Sequence, residues 1–334
     1  MSGSRPASHA GSWYTDDRED LDKELNGYLA RVPDSIDGVG TIPPDGSRVI
    51  IAPHAGYSYS GPAAAWAYKS LNLKEIKRVF ILGPSHHVYL DGCALTGHAT
   101  YDTPLGTLPI DTTTTAALQA TGKFSRMSPT TDSDEHSIEM HLPYTYKTLI
   151  NHFGSPAAIP PVVPILIGSI STSKEKDFGS LLAEYLDSPE NAFIVSSDFC
   201  HWGSRFSYQY YTATDDPTAS APLSLGKYTK VPAGSQPIWK SIEGLDKRAM
   251  DAIETGSHDS FAAYLKETKN TVCGRHPIGV VMAGLEEVVR RRKAAGGAVE
   301  DSVGKFRFVR YEQSSKCVDA KDSSVSYASA FAVL

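Results

Sequence analysis

Short, continuous apolar runs alternate along this chain with segments whose apolar residues recur every three to four positions. The continuous runs predict strands buried on both faces of a parallel sheet, and they lie at 49–52, 77–82, 162–167 and 193–195. The periodic segments predict amphipathic helices, at 16–29, 61–69, 112–121, 174–186, 238–254, 259–268 and 277–293. Closing strands are predicted at 305–311 and 324–333. This alternation predicts an α/β fold with a central, mostly parallel sheet flanked by helices.

Two segments depart from this pattern. The segment 135–150 has apolar residues at helical spacing, but Pro143 must either kink that helix or lie near its true start at Leu142. Between 211 and 237 small and polar residues dominate and no apolar period is present, so we predict a surface loop there. Because the candidate chemical groups are spread from His54 to Cys273, we predict one domain over residues 1–334.

Composition narrows the class of protein. The chain has 334 residues, 41% of them hydrophobic, and a net charge of -6, which is the wrong sign for a nucleic-acid-binding surface. No apolar run approaches the roughly 20 residues that span a bilayer, and the first residues lack the apolar core of a secretory signal. Four widely spaced cysteines indicate a reducing compartment rather than a disulfide framework. We therefore expect a cytoplasmic protein, present also in the nucleus.

Three of the apolar runs are followed by side chains that can bind a metal. The first leads to His54, the second to His86 and His87, and the third to Asp198 and His201. In a parallel sheet the carboxyl ends of strands share one edge, where ligands bind. Residues far apart in the sequence are therefore expected to meet in one pocket.

His54 and His86 are the candidate metal ligands from this pattern, since both follow strands and lie beside Gly or Pro turns. The neighbouring His87 is expected to point away, because side chains alternate along an extended chain. A hydrogen-bonded structural role is the alternative for any single histidine.

Cys273 is the third candidate ligand, and it precedes a helix predicted to start at Pro277. A helix N-terminus is expected to lower the thiol pKa and favour the thiolate. Two imidazoles and one thiolate suit copper, zinc or iron. The alternative is a cysteine packed as a small hydrophobic residue.

Asp198, His201 and His141 are candidate catalytic residues. Asp198 and His201 follow the third run, and each can orient a ligand, transfer protons or bind the metal directly. An Asx turn beside a structural histidine is the alternative. His141 comes from the segment Glu135–Pro143, where the histidine spacing does not fit a helical zinc motif.

Taken together, the motifs resemble the Memo family, named for mediating ErbB2-driven cell motility. The similar segments lie at 7–14, 53–57, 83–87, 103–106, 135–139, 196–203, 273–278 and 323–328, nearly the whole chain. The segment 211–237 looks like an insertion relative to the animal members, and the chain resembles a fungal or similar eukaryotic member.

The resemblance implies a fold related to the class III extradiol dioxygenases, which hold iron with two histidines and a carboxylate. Carried over by motif, His54 and His86 match the two histidines, and Cys273 takes the place of the carboxylate. Asp198, His201 and His141 would line the pocket. The implied function is a copper- or iron-binding protein, with one ion per chain, linked to redox control and to signalling in cell motility and the cytoskeleton.

Two other functions stay open. The pocket could bind a phosphotyrosine-containing segment of a signalling protein, with Arg275 and aromatic residues holding the ring; the candidates are Trp13, Tyr14, Tyr57 and Trp202. It could also serve a non-haem iron dioxygenase acting on a small aromatic substrate. A small molecule or an oxygen species is a further expected ligand, whereas nucleic acid and insertion into a membrane are not expected.

Overall fold

The computed structural model describes residues 1–215, 221–226 and 228–334. The helices are α1 Arg18–Ala30, α2 Tyr57–Lys69, α3 Thr112–Ala120, α4 Pro129–Asp134, α5 His136–Glu139, α6 Leu142–Phe153, α7 Thr172–Asp187, α8 Ile238–Glu254, α9 His258–Thr268 and α10 Arg275–Ala294. The strands are β1 Ser4–Arg5, β2 Ser35–Ile36, β3 Gly40–Thr41, β4 Ser47–Ala52, β5 Arg78–Pro84, β6 Cys93–Leu95, β7 Thr100–Thr103, β8 Gly106–Pro109, β9 Phe124–Arg126, β10 Val162–Ile167, β11 Asn191–Ser196, β12 His201–Trp202, β13 Tyr210–Tyr211, β14 Leu223–Ser224, β15 Phe306–Gln313 and β16 Ser324–Val333.

The central sheet has the strand order β12-β16-β4-β11-β5-β10-β6-β9, and β15 pairs with β16. Its four middle strands, β4, β11, β5 and β10, are all parallel to one another. Strands β16 and β6 flank these four in the antiparallel direction. The predicted fold class, an α/β domain with a central and mostly parallel sheet, is therefore confirmed.

Successive residues of the middle strands pack into different hydrophobic clusters. Val49 and Ile51 of β4 join the cluster formed with helices α7 to α10, whereas Ile50 and Ala52 join the cluster formed with α1, α2 and α6. This is why the strand is a continuous apolar run rather than an alternating one. Each fully buried side chain of this kind contributes roughly 1.5–3 kcal/mol to folding. The two helical layers hold the sheet, and its carboxyl edge, in place.

Several helix starts differ from the sequence-based expectation, and three of them have an identifiable local cause or consequence. The first helix is capped by Asp17, whose carboxylate accepts from the N–H groups of Glu19 and Asp20, rather than by Asp16. Helix α2 begins at Tyr57, so Pro62 lies inside it and not in its first turn. Helix α10 begins at Arg275 instead of Pro277, since the first turn forms with Gly274 as the capping residue.

The two interruptions in the pattern have different outcomes. Helix α6 begins at Leu142 with Pro143 in its first turn, as one of the two alternatives predicted. The segment 211–237 includes residues 216–220 and 227, which lie outside the described residues. Its described part contributes a short antiparallel pairing between β13 and β14. That the segment is an insertion stays a prediction. None of the described helices is long and apolar enough to cross a membrane.

Candidate metal centre

The candidate site lies at the carboxyl edge of three adjacent parallel strands. Strand β11 pairs with β4 on one side and with β5 on the other. His54, Asp198 and His86 each follow the last residue of one of these strands by two positions. Because the three strands are neighbours in register, their continuations converge on one pocket, as the sequence predicted.

Three imidazoles meet in this pocket. The ligand-capable atoms of His54, His86 and His136 all lie within 4.8 Å of one another. The His86 and His136 rings are stacked with centroids 4.3 Å apart, and the His54 ring is 5.2 Å from that of His86. We call these three residues the imidazole cluster. His87 lies in a second set, with Glu135 and His136, whose atoms meet the same 4.8 Å limit.

The Ser196 hydroxyl fixes the tautomer of His54. Its oxygen is 2.6 Å from His54 Nδ1, and the hydroxyl donates to the carbonyl of Ser137 at 2.7 Å. Since the single hydroxyl proton is used on that carbonyl, the serine oxygen must accept from an N–H at His54 Nδ1. His54 Nε2 therefore carries a lone pair, the form in which neutral imidazole binds a metal.

A buried carboxylate fixes the tautomer of His86. The Glu135 side chain lies 2.8 Å from His86 Nδ1, and it also accepts from the backbone N–H groups of His86 at 2.7 Å and Ser137 at 2.9 Å. Burial alone would raise the pKa of Glu135, but the hydrogen bonds from His86 and Ser137 outweigh it and lower the pKa to about 2. An ionised Glu135 holds the proton of His86 on Nδ1 and leaves Nε2 free as a ligand.

Two imidazoles of the cluster, those of His54 and His136, are held neutral. Burial lowers the pKa of His54 well below its ordinary value, and the neighbouring His86 and His136 lower it further. Burial and His86 likewise lower the pKa of His136 to about 3. Because a metal binds the neutral imidazole, no proton has to be removed before these nitrogens can act as ligands at neutral pH.

Cys273 contacts the cluster through His54. Its sulfur lies 3.3 Å from His54 Nε2 and accepts from the N–H of Asp198 at 3.2 Å. The close approach depends on the next residue, since a Cβ at Gly274 would lie 2.3 Å from the carbonyl oxygen of Ser196. The structure thus places the Cys273 sulfur against His54, but that sulfur is not in the group of ligand-capable atoms that His54 forms with His86 and His136; that Cys273 is a ligand stays a prediction.

The thiol of Cys273 is not activated in the way the sequence suggested. Burial raises its pKa well above the ordinary value, and the nearby Asp198 raises it further. These effects outweigh the backbone hydrogen bonds that oppose them, so the prediction of a lowered pKa is wrong. A thiolate here requires a cation beside it, and a metal ion held by the imidazoles would be such a cation.

Asp198 is buried beneath the cluster, where its carboxylate accepts from the backbone N–H of His54 at 2.8 Å. Burial raises its pKa against the opposing effect of His201 and of the His54 N–H. His201 Nδ1 lies 2.9 Å from the carbonyl of Phe199 and 3.1 Å from that of Thr271, so this nitrogen carries the proton. Asp198 thus contacts the backbone of the cluster directly, whereas the hydrogen bonds of the His201 ring go to Phe199 and Thr271; that either residue is catalytic stays a prediction.

His141 lies behind the pocket, at the start of α6. It is fully buried, its Nδ1 is 2.8 Å from the Tyr68 hydroxyl, and burial lowers its pKa to about 3. Its Nε2 is buried without a hydrogen-bond partner among the described residues. Whether His141 is catalytic stays a prediction.

Sequence reasoning missed His136, Glu135 and Ser196. His136 and His141 lie close together in the sequence but in different elements, because α5 ends at Glu139 and α6 begins at Leu142. The chain therefore turns between the two histidines and brings His136 against the ring of His86. A usable signal was Glu135 next to His136, since a carboxylate commonly holds a metal-binding histidine.

The comparisons with known proteins indicate one family over nearly the whole chain. A family model described as Memo-like protein matches residues 5–331. The zebrafish (Danio rerio) protein MEMO1 is 46% identical over 324 residues, covering 97% of this chain and 95% of that protein. Human (Homo sapiens) protein MEMO1 is 45% identical over the same length and coverage. The memo-1 homolog of Caenorhabditis elegans is 41% identical over 325 residues, covering 97% of this chain and 81% of that protein.

A solved structure, that of the uncharacterized protein JW3007 from Escherichia coli K12, is 12% identical with a TM-score of 0.44. The match covers 85% of this chain and 99% of that one, and it is too weak to bear on fold or function. The family match and the curated relatives span almost every residue and are far stronger. The chain therefore belongs to the Memo family.

Proposed function

We propose that this protein binds one copper or iron ion at the imidazole cluster and works in redox control. The observation that carries the proposal is the set of three ligand-capable imidazole atoms within 4.8 Å of one another. The partners of His54 and His86 support it, since Ser196 and Glu135 hold the proton on Nδ1 and leave Nε2 for the metal. The resemblance to the Memo family adds a link to cell motility and cytoskeletal signalling, which belongs to the same proposal.

The ligands we assign are His54, His86 and Cys273, with His136 as a fourth donor beside them. Imidazole and thiolate donors favour Cu(I), Zn(II) and iron over Mg(II) or Ca(II). A bound copper or iron ion would supply one-electron redox chemistry. Asp198 holds the backbone of His54 in place, and His201 keeps a proton on Nδ1 beside the pocket.

The test is the metal content of anaerobically purified protein, titrated with Fe(II) and Cu(I). The His54→Ala variant is expected to lose more than about 100-fold in affinity, because residues that only position a ligand are already worth 10–100-fold. The matched control is His152→Ala, which removes an exposed imidazole of α6. Stoichiometric metal retained by His54→Ala, or no binding by the wild type, would overturn the proposal.

Two further variants decide the ligand set. Loss of metal in Cys273→Ser with the fold intact places the sulfur among the ligands. Retention in Cys273→Ser together with loss in His136→Ala would instead leave three imidazoles as the ligands. Both variants need circular dichroism beside the titration, because Cys273 and His136 are each packed against other site residues.

One observation favours a second candidate, a phosphotyrosine-binding scaffold. Trp13 is 37% exposed and its ring centroid lies 4.4 Å from that of His136, so a planar ring could stack there. The other aromatic residues proposed for this function offer less ring surface to a ligand, because Tyr14, Tyr57 and Trp202 are buried. Binding of a phosphotyrosine peptide that is insensitive to chelators and lost in Trp13→Ala would favour this function.

A dioxygenase of small aromatic substrates is the third candidate. The cysteine at position 273 weighs against it, because a thiolate replaces the carboxylate of the related enzymes and can itself be oxidised. Oxygen uptake by iron-loaded protein with a panel of catechols is the direct test. Oxygen uptake would favour a dioxygenase function. The absence of uptake with every catechol would favour a metal-binding redox protein.

A further inference from the structure

A second cavity lies on the other helical layer, between α7, α9 and α10. Its volume is about 440 Å³, and its walls include Glu175, His258, Phe261 and Arg275. The segment 270–276 connects it to the candidate metal centre. Asn270, Thr271, Arg275 and His276 of this segment line the cavity, whereas Cys273 contacts His54. We call this space the Glu175 cavity.

The one carboxylate among the described residues that line this cavity already has an imidazole hydrogen-bonded to each of its oxygens. Glu175 is 2.6 Å from His276 Nδ1 and 2.7 Å from His258 Nε2, with one oxygen facing each ring. The two hydrogen bonds lower the pKa of Glu175 in spite of its burial, which acts in the opposite direction. A carboxylate held between two imidazoles presents little free negative charge to a ligand in the cavity.

Positive groups in the same cavity lack such partners. Lys266, Lys269 and Arg275 line it, and none of them has a carboxylate within 4.0 Å among the described residues. Some cations elsewhere on the molecule are paired, as in α10, where Arg291 pairs with Glu287 and Arg292 with Asp187. For a chain with a net charge of -6, three unpaired cations around one cavity are a local excess of positive charge.

The lining also contains buried polar atoms without partners and an apolar wall. His276 Nε2 and Asn270 Oδ1 are both buried and make no hydrogen bond within the part of the chain that the structure describes. A buried polar atom left without a partner is unfavourable, so a ligand that also carries a donor for Asn270 Oδ1 gains affinity. Phe261 and Leu265 of α9 supply apolar surface on the same cavity.

From these features we propose that the Glu175 cavity binds a small organic anion, a carboxylate or a phosphate monoester with an apolar body. Lys266, Lys269 and Arg275 attract the anionic group, and Phe261 and Leu265 contact the apolar body. The proposal does not depend on a metal at the imidazole cluster.

The experiment is calorimetric titration of the full chain with phenyl phosphate, with 3-phenylpropanoate and with the neutral 3-phenylpropanol. Saturable binding of either anion, and none of the alcohol, is expected; which anion binds more tightly identifies the acidic group. The double variant Lys266→Gln/Arg275→Gln should weaken binding about tenfold or more, since charge-assisted hydrogen bonds contribute about 1.5–3 kcal/mol. Both residues are exposed, so the fold is expected to tolerate the change.

A matched control and a second variant keep the test decisive. Lys23→Gln removes an exposed lysine of α1, which packs against α2 and α6, and it should leave binding unchanged. Ala262→Phe fills the cavity from α9 without changing charge and should abolish binding. No saturable binding of either anion at millimolar concentration would overturn the proposal. So would equal weakening by Lys23→Gln, or unchanged binding in both cavity variants.

Discussion

The imidazole cluster and the Glu175 cavity use the same residue types in opposite ways. In the first, His54, His86 and His136 face one another, and Glu135 lies on the outer side of His86. In the second, the Glu175 carboxylate lies between His258 and His276. Burial and the mutual proximity of the rings lower the pKa of His54, whereas Glu175 outweighs burial and raises the pKa of His258.

The difference shows that the position of the carboxylate decides what a group of histidines can bind. A carboxylate outside the ring set fixes tautomers and leaves lone pairs pointing inward, which suits a cation. A carboxylate between the rings accepts a hydrogen bond from each of them and leaves no shared space for a metal. Consistent with this, the groups able to hold a metal among the described residues include the first set and not the second.

The largest expected effect comes from removing the carboxylate between the two rings. Glu175→Ala should lower the free energy of unfolding by about 3 kcal/mol, because breaking a buried charge pair leaves both imidazoles without their acceptor. Urea denaturation at neutral pH measures this value. The control is Glu184→Ala on the exposed side of the same helix, where a change within about 0.5 kcal/mol is expected. A loss of unfolding free energy no larger than in the control would show that Glu175 does not stabilise the two histidines.

The pH dependence of stability provides a second test, on the buried carboxylate of Glu139. Glu139 is buried and accepts from Arg5, His9 and Tyr14. Burial would raise its pKa, but the hydrogen bond from His9 and the charge of Arg5 lower it from 4.5 to about 2. The stabilisation is therefore complete above about pH 4.5, where the unfolded carboxyl is ionised, and it is lost as pH falls towards 2.

The measurement is the difference in unfolding free energy between the wild type and Glu139→Gln across this window. The shift corresponds to about 3 kcal/mol at most, so the difference should shrink by about that amount between pH 6 and pH 2. Other carboxyl groups titrate in both proteins and cancel in the comparison. A difference that stays constant with pH would mean that the packing of Glu139, and not its charge, stabilises the N-terminal segment.

The fold was predictable because its signals are local. The strand containing Val49 to Ala52 is buried on both faces and has to be continuously apolar, and the helix starting at Ile238 has a clear period. Helix starts were less predictable, as at Asp17, because two adjacent aspartates can each act as the cap and the sequence does not distinguish them.

The candidate site was predictable only where a strand delivers the residue. His54, His86 and Asp198 follow parallel strands, so their convergence could be inferred from the pattern alone. His136 comes from α5, and its contact with His86 depends on how that short helix packs against β5. The hydrogen bond from His54 to Ser196 depends in the same way on the register of β4 and β11, which the sequence does not state.

The smallest effect expected concerns that hydrogen bond. Ser196→Ala removes the acceptor for His54 Nδ1–H, so the second tautomer, with its proton on Nε2, becomes populated and competes with metal binding. We expect about a tenfold loss of Fe(II) or Cu(I) affinity, the lower end of the range for groups that position a ligand. The ¹⁵N shifts of the His54 ring report the tautomer directly, and they do so without any metal. Ser329→Ala is the control, because that buried hydroxyl donates to the carbonyl of Ala63 and has no hydrogen bond to a histidine in the described part of the chain. An unchanged tautomer in Ser196→Ala would assign the orientation of His54 to Cys273 instead, whose sulfur lies 3.3 Å from Nε2.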